Sequence, residues 1–399
     1  MRGQGVRLTR KVWVMRLAVW ALFTSTTLLT TTVLSVTTPP AWASGVGHGP
    51  STTPLSRALR QLVDLPGGPP GAIALVQTGG RTQVVTAGVG DVTTGVPISP
   101  DDTVRIASVS KAFSGAVALY LVSQKRLKLS DTIGQWLPQL PKAWYPVTLG
   151  EMLDHTSRLP DYIKSEAFLD ELRKDPLVDL TPMQLLGYVA DDGLTPGHGY
   201  DYSDTDNIVV GLMVEAVTGQ SYEANLAHVV AGPLGLTKTY LPTDVELPTP
   251  YVHGYQVTPG KPIEDLSEYL NPALAWASGG MLSTPSELNT FMRAYVRGAF
   301  TNAPTRQKQF TFVPGDSGPP GPGTNAAGLG IFRYRTSCGT VYGHTGNFPG
   351  YTIFAAATSN GQRSAEVIVN TQLNDNPVTA PFTLLRQIEG MAVCSALGS

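Results

Sequence analysis

Ser108 and Lys111 stand three residues apart at the head of an apolar run, Ser110 to Gln124, that reads as a buried helix. Residues three apart share a helical face, so the Lys111 nitrogen can reach the Ser108 hydroxyl. A serine hydroxyl is a poor nucleophile until a neighbouring base takes its proton, and a lysine partly desolvated by an apolar wall can have its pKa lowered enough to help. A helix N-terminus adds backbone N–H groups and a dipole that favour developing negative charge. Ser-x-x-Lys also turns up by chance, and its bland counterpart is a helix cap beside a surface lysine.

Two further segments bear on the choice. Tyr200-Asp201-Tyr202-Ser203-Asp204 forms a loop before a helix starting at Thr205, and His344-Thr345-Gly346 lies between two strand-like runs near the end of the chain. Serine-lysine, tyrosine loop and His-Thr-Gly, in that order, resemble the motifs of the penicillin-recognising serine hydrolases: Ser-x-x-Lys, Tyr-x-Asn and Lys/His-Thr-Gly. The stretches Met152 to Tyr162 (MLDHTSRLPDY), Trp276 to Thr284 (WASGGMLST) and Tyr342 to Gly346 (YGHTG) are also similar to that family, over about Leu55 to Cys394. With His in the third motif and Ser337-Cys338-Gly339 nearby, the chain most resembles secreted D-alanyl-D-alanine carboxypeptidases of the class C β-lactamase type.

The resemblance implies Ser108 as the acylated nucleophile, Lys111 as its proton partner and Tyr202 as general base or proton shuttle. A phenol beside an ammonium is expected to ionise below its usual pKa of about 10. His344 and Thr345, followed by Gly346, would bind a substrate carboxylate, and the backbone N–H groups of Ser108 and Asn347 would form the oxyanion hole. Trp276, Phe168 and Arg333 are candidate pocket-wall or carboxylate contacts, with core packing the alternative for the two aromatics. Asp204 departs from the family asparagine. An ionised carboxylate accepts hydrogen bonds but donates none, so Asp204 is expected to bear on substrate recognition or to pair with Lys111, raising the lysine pKa. Asn207 is an alternative source of an amide.

The implied reaction proceeds through an acyl-enzyme and needs no cofactor. Its substrates would be peptidoglycan-type peptides ending in D-alanine, with β-lactams as acylating inhibitors. A β-lactamase, esterase or D-aminopeptidase on the same scaffold is the alternative within enzymes, and a catalytically retired cell-wall binding or sensor protein the alternative outside them. Gly315-Asp316-Ser317-Gly318 imitates the nucleophile segment of trypsin-like proteases, but prolines and glycines follow to Gly323 and no matching His-Cys segment precedes it, so it reads as a turn-rich loop. No Gly-x-Ser-x-Gly elbow occurs, and the six histidines lack metal-ligand spacing.

These residues must be positioned by a chain of 399 residues, long enough to bury a core without staples. With 42 glycines and 32 prolines, many ordered loops are expected. Strand-like runs cluster at both ends (Ala72 to Thr78, Thr82 to Val89, Gly330 to Tyr334, Thr340 to Tyr342, Tyr351 to Ala357, Ala365 to Asn370), and the middle reads as helices. The expected fold is α/β of the α+β kind: an antiparallel sheet from both chain ends with flanking helices (about 55–115 and 275–399) and an all-helical insertion (about 116–274). Arg2, Arg7, Arg10, Lys11 and Arg16, an apolar run from Leu17 to Val36, and Ala41-Trp42-Ala43 read as an export signal over residues 1–43, with a signal anchor as the alternative. Removing it leaves residues 44–399 acidic, with no nucleic-acid footprint and no stable membrane span. In an oxidising compartment Cys338 and Cys394 are expected to pair, closing a loop of 56 positions worth about 4 kcal/mol on chain entropy.

Overall fold

The strands Gly71–Thr78 (β1) and Arg81–Gly88 (β2) make a hairpin whose turn uses Gly79 at φ +59°, and the sheet grows from there through the far end of the chain. The computed structural model describes residues 53–374 and 378–398; residues 1–43, read from the sequence as an export signal, lie outside them. Val313–Pro314 (β3), Thr324–Gly328 (β4), Ile331–Thr336 (β5), Gly339–Phe348 (β6), Tyr351–Ala357 (β7) and Arg363–Val369 (β8) complete an eight-stranded antiparallel sheet of order β2-β1-β8-β7-β6-β5-β4-β3. The chain ends meet where β1 pairs with β8, Ala72 opposite Val369.

Helices cover both faces, because both carry apolar side chains. On one side Pro54–Asp64 (α1) and Ala380–Leu397 (α5) pack over Val76, Phe354 and Val367. On the other, Ser110–Ser123 (α2), Asp204–Thr218 (α3) and Pro285–Val296 (α4) surround a second, larger core that includes Phe113, Ile208, Phe291 and Ile353. α2 is apolar on nearly every side, as a helix enclosed by others requires. Thr53, Thr284 and Thr379 cap α1, α4 and α5 by accepting backbone N–H bonds, each followed by a proline near the first turn.

Two expectations need correction. The middle of the chain is mainly but not wholly helical, since Tyr255–Gln256 pairs with Glu264–Asp265 in a small antiparallel ribbon. His344-Thr345-Gly346 lies within β6 rather than between strands: two glycines in YGHTG lower its apparent strand character, yet Gly343 and Gly346 allow close backbone approach. Cys338 occupies the β5–β6 turn. It is bonded to Cys394 of α5, with the Cα atoms 5.2 Å apart, so the disulfide joins the last helix to the sheet. No helix among the described residues is long and apolar enough to cross a membrane.

Candidate active site

Ser108 is half-buried in the tight turn Ala107–Val109 that feeds α2. Ala107 is held at φ +50°, a left-handed conformation that L-residues rarely adopt. β6 presses on this turn through Gly346, where an added Cβ would fall 2.5 Å from the Ile106 carbonyl oxygen and 3.2 Å from the Ser108 nitrogen. Only glycine fits there. From the other side the Ser110 hydroxyl donates to the Ala107 carbonyl at 2.7 Å and accepts the Met281 N–H at 3.3 Å.

Lys111 is 1% exposed, and each hydrogen of its ammonium has an acceptor: Ser108 Oγ at 3.0 Å, Asp204 Oδ1 at 2.6 Å and the Ser278 carbonyl at 2.9 Å. Asp204 opens α3, and its own N–H donates to Asp161 Oδ1 at 3.1 Å. The departure from asparagine thus places a carboxylate against the lysine as a buried ion pair. Asn207 supplies no amide to the cleft; its side chain donates to Ser114 Oγ at 2.6 Å between α2 and α3.

Tyr202 closes the group. The Lys111 ammonium lies 5.0 Å from the centre of its ring, and its hydroxyl is buried without a well-aligned hydrogen-bond partner. Burial, and then the charge of Asp204, push the phenol pKa well above its ordinary value, while the nearby Ser108 hydroxyl pulls the other way. This corrects the expectation of an easily ionised phenol: the resting Tyr202 is neutral, because desolvation outweighs the neighbouring ammonium.

Behind Tyr202 is a network to which sequence reasoning assigned no role. Asp206 accepts the Ser157 hydroxyl at 2.5 Å and meets His155 Nδ1 at 2.7 Å, and the His155 ring lies 4.5 Å from that of Tyr202. Burial, with the Lys111 charge second, lowers the His155 pKa to about 3, and burial raises the Asp206 pKa well above its ordinary value. The available signal was the histidine in the Met152 to Tyr162 stretch and a second aspartate two positions after Asp204.

The His-Thr-Gly strand is arranged differently from expectation. His344 is buried, with its ring edge-on to Phe332, and Nδ1 lies 2.5 Å from the Thr345 carbonyl; burial lowers its pKa to about 3. The Thr345 hydroxyl is 2.6 Å from both Ser317 Oγ and the Pro319 carbonyl. The Gly315 to Gly323 segment is a loop, as expected, but it returns to the site and its Gly318 and Pro319 border the cleft. Neither His344 nor Thr345 is among the lining residues, whereas Asn347 is, its side chain engaged by Thr352 and Leu373.

The cleft has a volume of about 550 Å³. Ser108, Tyr202, Asp204 and Asp161 occupy its polar side, and Ile163, Phe168, Leu172, Leu274 and Phe348 form an apolar wall. Phe168 therefore stands where a pocket wall was expected. Trp276 does not: its ring packs on Tyr222, and its Nε1–H donates to Glu223 at 3.1 Å in the helical core. Arg333 is also outside, its guanidinium 4.7 Å from the Phe312 ring centre. Trp276 thus takes the core-packing role and Arg333 makes no contact at the cleft, because sequence order gives no side-chain direction. Among the described residues no three His, Cys, Asp or Glu side chains are grouped to hold a metal ion.

Comparison with known proteins agrees with this architecture. The putative penicillin-binding protein PbpX of Bacillus subtilis (strain 168) is 25% identical over 283 residues, covering 69% of this chain and 64% of that protein. Penicillin-binding protein 4* of the same organism is 24% identical over 282 residues, covering 66% and 60%. The chain thus spans about three fifths of the length of these relatives. Among solved structures, a D-stereospecific amidohydrolase from Streptomyces sp. superposes with a TM-score of 0.71 at 29% identity, over 80% of this chain and 94% of that one. The D-amino acid amidase of Ochrobactrum anthropi SV3 shares the fold, with a TM-score of 0.74 at 23% identity over 86% and 99%. Because the Beta-lactamase family model matches residues 55–388, which include the whole Ser108, Lys111 and Tyr202 cluster, the chain belongs to the beta-lactamase and penicillin-binding protein family of serine hydrolases.

Proposed function

We propose that the protein hydrolyses amide or ester bonds of D-amino-acid-derived donors through an acyl-enzyme at Ser108. The observation that carries this reading is the Lys111 ammonium 3.0 Å from Ser108 Oγ at a cleft that Tyr202 also lines. As Ser108 Oγ attacks the donor carbonyl, its hydrogen passes to the Tyr202 oxygen while the phenol hydrogen passes to the leaving nitrogen or oxygen. The tyrosine both accepts and donates, and never has to exist as free phenolate. Lys111 stabilises negative charge building on Ser108 Oγ, and the Ser108 and Asn347 backbone N–H groups would hold the carbonyl oxygen. In the second half water attacks the ester, giving a hydrogen to Tyr202 as Tyr202 returns one to Ser108.

The apolar wall suits a donor with a hydrophobic side chain. The terminal D-alanine of a peptidoglycan-type peptide and the amide of a D-amino acid both remain within the class, and a β-lactam would acylate the same oxygen. Export to the cell exterior, where such peptides occur, belongs to the same proposal and rests on residues 1–43. The test is turnover of the p-nitrophenyl ester of an N-acyl-D-amino acid. Repeated turnover in the wild type, lost in Ser108→Ala, is expected; a single equivalent released, or none, would identify a retired binding protein.

A further inference from the structure

We propose that the cleft selects against a carboxylate on the leaving group, and that the Gly315 to Gly323 loop sets this preference by occupying the groups that would otherwise receive one. The inference rests on the acyl-enzyme reading and narrows its substrates to amides and esters whose departing fragment is uncharged.

The hydroxyl and ring hydrogens that could receive such a carboxylate are already used. A threonine hydroxyl has one hydrogen. Thr345 Oγ1 lies 2.6 Å from the Pro319 carbonyl, which can only accept, and 2.6 Å from Ser317 Oγ, so that hydrogen is used inside the loop contact. His344 Nδ1 faces the Thr345 carbonyl, another pure acceptor, so the hydrogen of the neutral ring sits on Nδ1 and Nε2 has only a lone pair. Burial keeps this ring from charging. Arg333 is stacked on Phe312 and borders no part of the cleft.

Charge leads to the same conclusion. The cations at the cleft are each matched by a carboxylate, Lys111 with Asp204 at 2.6 Å and Lys164 with Asp161 at 3.1 Å. No surplus positive charge remains to offset the desolvation of an incoming anion. The loop is also firmly built. Ser317 is 2% exposed, the Tyr200 hydroxyl donates to the Asp316 carbonyl, the Arg386 guanidinium donates to the Pro320 carbonyl, and Asn325 Oδ1 accepts the Gly321 N–H at 2.7 Å. The Gly-Asp-Ser-Gly segment is thus a selectivity element in which Ser317 holds a neighbour and is no nucleophile.

A matched pair tests this: N-acetyl-D-alanyl-D-alanine and its C-terminal carboxamide, which differ only in the charge on the leaving group. The carboxamide should have a kcat/KM higher by about tenfold or more, the scale set by placing an unpaired charge in such a site. Equal values, or a preference for the free acid, overturn the proposal. Asp161→Asn, which releases Lys164 from its partner, should narrow the ratio several-fold; an unchanged or wider ratio also overturns it. The N-acyl-D-amino acid p-nitrophenyl ester is run alongside. If it turns over in a Ser108-dependent way while the acid is preferred, only the selectivity inference fails; if no donor does, the acyl-enzyme reading fails.

Discussion

Tyr202 carries a hydroxyl that the fold leaves without a well-aligned partner beside the nucleophile, an arrangement that costs stability and makes sense as a proton relay. Tyr202→Phe keeps the ring beneath the Lys111 ammonium and removes only the relay. Acylation by the p-nitrophenyl ester should fall by about 10²- to 10⁴-fold, with the thermal midpoint unchanged or slightly raised. A fall in both would make the hydroxyl structural. At this scale the sequence exposes Ser108, Lys111 and Tyr202 because their spacing and order are chemical. It does not expose the electrostatics around them. The neutral phenol and the buried His155–Asp206 pair arise from desolvation by residues distant in the chain, and the positions of Trp276 and Arg333 depend on side-chain directions that appear only after packing.

Strand β6 and the Ala107–Val109 turn act as one element, brought together by Gly346. Gly346→Ala places a methyl where the Ile106 carbonyl now stands, so strand or turn must retreat. Acylation is expected to drop by about 10²-fold, the scale of a 1 Å misplacement, while circular dichroism retains the mixed helix and sheet signal. Undiminished acylation would show that the approach of β6 does not position Ser108. Strands are readable from periodicity: β7 coincides with the Tyr351 to Ala357 run read from the sequence because the turn at Gly350 bounds it. The His-Thr-Gly strand is obscured by its glycines, and the course of the Gly315 to Gly323 loop is invisible because turn residues show that a chain bends, not what it bends toward.

For the molecule as a whole, the disulfide adds stability and the buried His344 and Glu389 make that stability depend on pH. Replacing Cys338 and Cys394 by serine should lower unfolding free energy by about 2–4 kcal/mol and leave acylation intact, since the bond ties α5 to the sheet away from the cleft. Chemical denaturation with a parallel acylation assay checks both parts. His344 is buried with its pKa near 3 against an ordinary 6.5, so the unfolded chain takes up its proton first as pH falls. The contribution is complete above pH 6.5 and is lost towards pH 3. Glu389, raised to about 8 by burial, runs in the opposite sense: its contribution is complete below its ordinary 4.5 and fades as pH rises through 8. The clean measurement is therefore a difference. Between pH 6.5 and 3 the stability of His344→Gln relative to wild type should improve by up to about 1.4 kcal/mol per pH unit of acidification; a pH-independent difference would mean the ring is not buried neutral. The sheet from two chain ends is legible at this scale because strand signals cluster there, whereas the small ribbon at Tyr255 and Glu264 is too short to announce itself.

Covalent acylation of Ser108 is tested most directly by intact-mass spectrometry of the protein after incubation with benzylpenicillin methyl ester, a β-lactam whose carboxylate is masked. A mass increase of one penicillin molecule, mapped by peptide analysis to Ser108 and absent from Ser108→Ala, is the predicted result. An adduct on another residue, or one that persists in Ser108→Ala, would contradict the account.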